Sequence, residues 1–260
     1  MDLSGRTVFI TGASSGIGAA CARAFASQGS RLLLAARRVE RIEAAIPDLK
    51  KRGAPEVRAE RLDVRDAAAV MTLVSSLAGA WKEIEVLVDN AGLSRGLDKL
   101  QDGSLDDWNE MLDTNVKGVL HVDRAVVPLM VARGRGTVIH LGSIAGRQTY
   151  PGGNVYCASK HAVRALTDAL RLDVLGTGVR VATVDPGLVA DTEFSEVRFH
   201  GDRARAASVY NGLTPLGPDD VAEAIVWVAT RPERVVVSDL VLLPLDQASA
   251  NHVSRKSGPA

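Results

Sequence analysis

Thr7-Val8-Phe9-Ile10-Thr11-Gly12-Ala13-Ser14-Ser15-Gly16-Ile17-Gly18 decides how this 260-residue chain folds. Its first five residues form a β-branched, apolar run that stops at glycine, the pattern of a buried parallel strand. Three glycines follow at the spacing Gly-x-x-x-Gly-x-Gly, then a helical stretch from about Ile17 to Gln28. Gly12 permits the tight turn out of the strand, Gly16 lets backbone approach a ligand, and Gly18 lets the helix pack on the sheet. The helix start offers unpaired N–H groups and a positive dipole end to phosphates. Ser14, Ser15 and Ile17, set among the glycines, are expected to touch the same ligand. The commoner fingerprint is Gly-x-Gly-x-x-Gly, so the general motif applies by analogy. A strand–turn–helix without any ligand is the plain alternative.

The next strand, Ser30 to Ala36, bears on which dinucleotide fits. A site for a ribose 2′-hydroxyl usually carries an acid near this strand end, and a site for a 2′-phosphate carries arginine. Here Ala36 stands at that place and Arg37-Arg38 follow. A planar guanidinium can bond two phosphate oxygens at once, so NADP(H) is the expected cofactor. The two arginines can also stand as solvated residues at a helix start, and one of them is expected to do so.

Farther along, Tyr156-Cys157-Ala158-Ser159-Lys160 lies in a stretch, Gly153 to Leu175, whose apolar residues recur at three and four. Tyr156 and Lys160 are therefore on one helix face. A neighbouring ammonium favours the phenolate and draws the tyrosine pKa toward working pH, as proton transfer requires. Tyr-x-x-x-Lys alone is weak. It gains weight from Ser143, which follows the strand Gly136–Gly142 at the end where ligands of open parallel sheets bind.

These motifs resemble the short-chain dehydrogenase/reductase family from end to end. The likeness extends to Asp63-Val64, Asn90-Ala91-Gly92, Asn115, Pro186-Gly187 and Thr192. The resemblance implies that Ser143 orients the substrate oxygen, Tyr156 is the acid/base, and Lys160 also holds the nicotinamide ribose. It implies that Asn115 fixes a water that relays protons from Lys160. Asp63 and Val64 would lie at the adenine, and Pro186-Gly187 would border the nicotinamide. The chain departs from the family's Asn-Asn-Ala-Gly by placing Asp89 first. Asp89 cannot donate a hydrogen bond unless protonated, so either it only accepts or burial raises its pKa. Tyr150 to Tyr156, Thr192 to Ser195, Val197 to Phe199 and the near-terminal Leu243-Pro244 further resemble the NADP-dependent 3-hydroxy acid dehydrogenases. A carboxylate substrate of that kind needs a cation beside Ser143 and Tyr156. Arg147 is the first candidate and Arg198 the second, with Asn154 also near the substrate; Arg147 as a solvated loop residue is nearly as good a reading.

Composition sets the remaining bounds. Strand and helix signals alternate without a linker, so residues 1–248 read as one α/β Rossmann-type domain, a doubly wound parallel sheet with helices on both faces. Residues 188–215 are a long irregular connection with the character of a substrate lid, and 249–260 a polar tail whose start could cover a neighbour's pocket. Thirty-one basic against 31 acidic residues leave no net charge, which disfavours nucleic acid or an acidic membrane as a partner. No secretory signal is evident and no apolar run has the length of a membrane helix. Cys21 and Cys157 suit packing in a reducing cytoplasm, and the five histidines show no metal spacing. Long helices over Leu105–Arg133 and Asn154–Leu175 suggest, with the resemblance, a homotetramer, or a homodimer. The expected activity is interconversion of a small 3-hydroxy acid (serine, allo-threonine or 3-hydroxypropionate type) and its 3-oxo form. The alternatives are a reductase of neutral carbonyl or 3-oxoacyl compounds and a non-catalytic NADP-binding regulator.

Overall fold

A computed structural model describes residues 1–256. Its strands are β1 (Thr7–Thr11), β2 (Arg31–Ala36), β3 (Val57–Arg61), β4 (Ile84–Asp89), β5 (Gly136–Leu141), β6 (Val179–Pro186) and β7 (Asp239–Leu242). All pair in parallel, in the order β3-β2-β1-β4-β5-β6-β7. The chain therefore reverses its winding between β1 and β4, which opens a crevice at the carboxyl ends of those strands.

The two-residue period of a strand explains the layers. Val8 and Ile10 of β1 join Leu32, Leu34, Val86 and Val88 on one face, under α1 (Gly16–Ser27), α2 (Val39–Arg52) and the last helix (Pro218–Ala229). Phe9 joins Leu33, Leu87, Val138 and Val181 on the other face. That face is covered by α3 (Ala67–Ser75) and by the long segments α5 (Gly118–Arg133) and α6 (Asn154–Asp173). Phe9, Phe25 and Leu33 are fully enclosed; burying each such side chain contributes roughly 1.5–3 kcal/mol.

The boundaries differ from the sequence reading in three places. The helix expected over 105–133 divides into α4 (Leu105–Leu112), a π-helical turn at Asp113–Lys117, and α5. The wider turn buries Thr114 and Asn115 beside α6. The strand expected over 235–243 shortens to β7, because a turn from Val235 N–H to the Pro232 carbonyl precedes it. Within 188–215 the chain forms two short helices, α7 (Phe194–Arg198) and α8 (Arg203–Ser208), which makes the last helix α9. The start of the tail packs on its own subunit: Ala250 N–H donates to Gln148 and the Asn251 amide to the Thr149 carbonyl. The remainder of the tail, 257–260, lies outside the described residues.

Candidate active site

A cavity of about 430 Å³ lies beyond the carboxyl ends of the central strands. One end is formed by the glycine turn, Ser14, Ser15, Ile17, Arg37 and Arg38; the other holds Ser143, Tyr156 and Lys160 beneath α7. Asp63, Val64, Asn90, Ala91, Gly92, Pro186, Gly187 and Thr192 line the walls between. Gly18 does not reach the cavity surface; its role is packing. A Cβ there would meet the Gly12 carbonyl oxygen at 2.4 Å and the Asn90 amide at 2.6 Å. Asn90 pins the turn to the sheet by donating to the carbonyls of Thr11 and Gly12 at 2.9 and 3.3 Å.

The residues present fit a 2′-phosphorylated dinucleotide. Gly12 turns the chain at φ +66°, a conformation that L side chains rarely adopt. Ala36 at the end of β2 lines the wall where an acid would exclude a 2′-phosphate, and two guanidinium groups follow it. Arg38 and Arg41 both grip Glu193 at 2.5 Å, and these contacts hold the Glu193 carboxyl down to about 2. Glu193 thus ties the segment beside α7 to the cofactor-side arginines, a contact that local sequence does not signal.

The chemical end is held from several elements. Ser143 caps the short 3-10 turn Ile144–Gly146, its hydroxyl accepting from Ala145 N–H. Tyr156 is buried, and that burial raises its phenol pKa. The Arg198 charge and hydrogen bonding to Ser143 pull the pKa back. The sequence reading assigned that pull to Lys160, but the Lys160 ammonium is drawn to the Leu141 carbonyl at 2.7 Å. The Arg198 guanidinium instead sits 5.4 Å from the Tyr156 ring centre. Burial lowers the Lys160 pKa to about 8, opposed by the carboxylates of Asp185 and Asp89. Asn115 contributes architecture: its Oδ1 accepts from Leu93 N–H, and its Nδ2 donates to the Leu93 carbonyl and to Ser159.

Two substrate candidates need correction. Arg147 faces away from the cavity, because Asp185 at 2.6 Å and Asp239 both claim its guanidinium. Asn154 donates to the Asp98 carbonyl and accepts from Val155 N–H, outside the cavity. Arg198 does reach it. Its Nε donates to Ser94 at 3.0 Å and one terminal nitrogen to Tyr150 at 3.1 Å, and its guanidinium carbon lies 4.9 Å from the Phe194 ring centre. Ser94, Tyr150 and Phe194 therefore frame the site, although no spacing marked Ser94 beforehand.

A parallel sheet with a phosphate turn at one end of the crevice and a serine, tyrosine and lysine at the other defines a dinucleotide-dependent oxidoreductase. The chain belongs to the short chain dehydrogenase family, whose pattern matches residues 6–202. It is 44% identical over 255 residues to the NADP-dependent 3-hydroxy acid dehydrogenase of Schizosaccharomyces pombe, covering 98% of each chain. It is 45% identical over 242 residues to sulfoacetaldehyde reductase 2 of Chromohalobacter salexigens, covering 93% of this chain and 95% of that one. Among solved structures, the closed form of a serine dehydrogenase complexed with NADP+ superimposes with a TM-score of 0.90 at 41% identity. That match covers 96% of this chain and 100% of the other.

Proposed function

We propose that this enzyme interconverts a small 3-hydroxy acid and its 3-oxo form with NADP(H). The observation that carries the reading is Arg198. It is only 8% exposed, it lines the cavity beside Tyr156, and among the described residues no carboxylate pairs with it. A buried charge is costly unless paired. A substrate anion placed against the free edge of the guanidinium supplies the missing partner.

The cofactor supplies the hydride. In reduction, Tyr156 gives its phenolic proton to the substrate oxygen, which Ser143 orients; in oxidation it takes that proton back. Burial keeps the phenol protonated, which suits the reductive direction, and Arg198 and Ser143 ease the ionisation that oxidation needs. Lys160 holds the nicotinamide ribose. Arg198 sets the distance between the anionic group and the reacting carbon, and such positioning lowers the entropic barrier to transfer.

A guanidinium serves a sulfonate as well as a carboxylate, so sulfoacetaldehyde reduction is the second reading, favoured by the 45% identical relative. Initial rates decide between them, measured for serine, 3-hydroxypropionate, sulfoacetaldehyde and a neutral aryl ketone with NADP(H) and NAD(H). The expected result is turnover of an anionic substrate with more than tenfold preference for NADP(H), since charge-assisted bonds contribute roughly 1.5–3 kcal/mol each. Turnover confined to the ketone overturns the reading. The exposed Leu112 and Leu120 of α4 and α5 and Leu172 of α6 support a homotetramer built on these helices, which light scattering checks. The buried free thiols Cys21 and Cys157 suit a cytoplasmic setting, and no helix of the described residues is long and apolar enough to cross a membrane.

A further inference from the structure

Asp89, the departure from the family's Asn-Asn-Ala-Gly, ends β4 and lies in register with His140 of β5. Asp123 reaches both from α5, and one ligand-type atom from each of the three lies within 4.8 Å of the others. His140 is fully buried and Asp89 nearly so. One Asp89 oxygen accepts from Thr11 at 2.7 Å, while the other is buried without a partner.

Hydrogen counting assigns a proton to Nδ1 of His140. The Thr167 hydroxyl lies 2.7 Å from the Val163 carbonyl and donates its single hydrogen there. It can then only accept from His140 Nδ1, at 2.8 Å. The other ring nitrogen faces Asp123 at 3.1 Å; against an ionised Asp123 it carries hydrogen as well, and against its burial the charges of Asp123 and Asp89 raise the His140 pKa. With Asp123 ionised, two carboxyl groups flank an imidazolium in the sheet core. The adjacent backbone connects this cluster to the site: the carbonyl of Leu141, next to His140, accepts from Lys160.

We propose that Asp89, His140 and Asp123 form a buried proton-holding triad, and that the charge on Asp89 sets the pH range over which Lys160 remains an ammonium. The proposal rests on the reading of Lys160 as a group of the active site. Two carboxylates act on Lys160, Asp185 from β6 and Asp89 from β4. Arg147 and the Thr183 hydroxyl engage Asp185, whereas Asp89 has a hydrogen bond on one oxygen only, from Thr11. Asp89 in turn feels Asp123 from α5, His140 from β5, Thr11 from β1 and Lys160 from α6, and burial brings its carboxyl up to about 7. Asp89 and Lys160 thus change charge in neighbouring pH ranges. An ionised Asp89 keeps the ammonium, and His140 keeps Asp89 ionised.

The test uses the reductive direction, where Tyr156 acts as a phenol and the alkaline limb of kcat/KM reports loss of the Lys160 ammonium. Asp89→Asn should move that limb to lower pH by about 0.5 or more, as loss of a nearby opposite charge requires. His140→Gln should move it the same way, by leaving Asp89 more protonated. NMR of labelled histidine, with His140→Gln for assignment, should show His140 protonated at neutral pH, and Asp123→Asn should lower its pKa. Unshifted limbs in folded, NADP-binding variants overturn the coupling, and a neutral His140 overturns the triad. One equivalent of bound zinc per chain, lost in Asp89→Asn, would replace the proton with a metal and overturn it as well. Lys160→Ala separates the two levels. If it abolishes turnover while Asp89→Asn leaves the limb in place, only the proposal fails; if it keeps turnover, the reading of the site fails too.

Discussion

Replacing Arg198 with methionine removes the guanidinium and keeps an unbranched apolar stem against Phe194 and Tyr156. The wild-type side chain donates once to Ser94 and once to Tyr150. Of five N–H groups, three then remain for a substrate anion. A charge-assisted bond is worth roughly 1.5–3 kcal/mol, and 1.4 kcal/mol is tenfold, so kcat/KM for a 3-oxo acid should fall about 10- to 150-fold. Arg198 also pulls down the Tyr156 pKa, so its loss weakens Tyr156 as an acid toward every substrate. The informative quantity is therefore the ratio of acid to neutral ketone of similar size, followed as NADPH oxidation at fixed pH. That ratio should drop at least tenfold, while the ketone alone changes only a few-fold. Arg198→Lys should recover part of the loss, because an ammonium keeps the charge but not the planar fork. Equal losses on both substrates would mean that Arg198 only supports Tyr156 and Ser94. An unchanged ratio would remove Arg198 from substrate recognition.

Tyr156→Phe should reduce turnover by about 10²–10⁴-fold while NADP(H) still binds; retention of more than about a tenth of the activity refutes the acid/base assignment. Glu193→Gln should tighten NADP+ binding a few-fold in a fluorescence titration, because the 2′-phosphate no longer competes for Arg38 and Arg41, and exposed ion pairs are worth only ~0.2–1 kcal/mol; weaker binding would make Glu193 a part of the cofactor site. Asp89 has a folded pKa of about 7 against an ordinary 3.8, so the folded state holds its proton more tightly and stability falls as pH rises between those values. Asp89→Asn should therefore gain Tm relative to wild type on going from pH 5 to pH 8, and a difference that does not vary with pH refutes the buried ionisation.

The sheet was legible because its evidence is local. Each central strand is an apolar run between a helix signal and a turn, and the glycine spacing fixes the first βα unit wherever the rest of the chain goes. Tyr156 and Lys160 were legible for the same reason, as one helical turn fixes their separation. Arg147 was not. Its closeness to Ser143 in sequence was real, but Asp185 and Asp239 come from β6 and β7, and only the completed sheet brings those carboxylates to it. Asn154 was likewise claimed by the Asp98 carbonyl, in the loop after β4. The π-helical turn at Asp113–Lys117 has no spacing of its own that marks it, yet it turns Asn115 inward to tie Leu93 to Ser159.

The groups that matter most after the catalytic ones are those whose charge the chain leaves uncompensated, and compensation is a property of the whole fold. Arg198 and Asp89 illustrate the two outcomes. Both are buried, and each retains hydrogen-bonding capacity that no neighbour uses. Arg198 cannot shed its proton, and its free edge faces the cavity, where the anion of the proposed substrate can meet it. Asp89 faces the sheet core, where the groups within reach are His140, Asp123 and Thr11. A carboxylate in that position can take up a proton, and that proton is exchanged against the charge of Lys160. The asparagine usual in the family could accept from Thr11 through its amide oxygen, and would hold the turn without carrying a charge. This chain therefore joins the stability of its core to the ionisation of its active site through a single oxygen-for-nitrogen exchange.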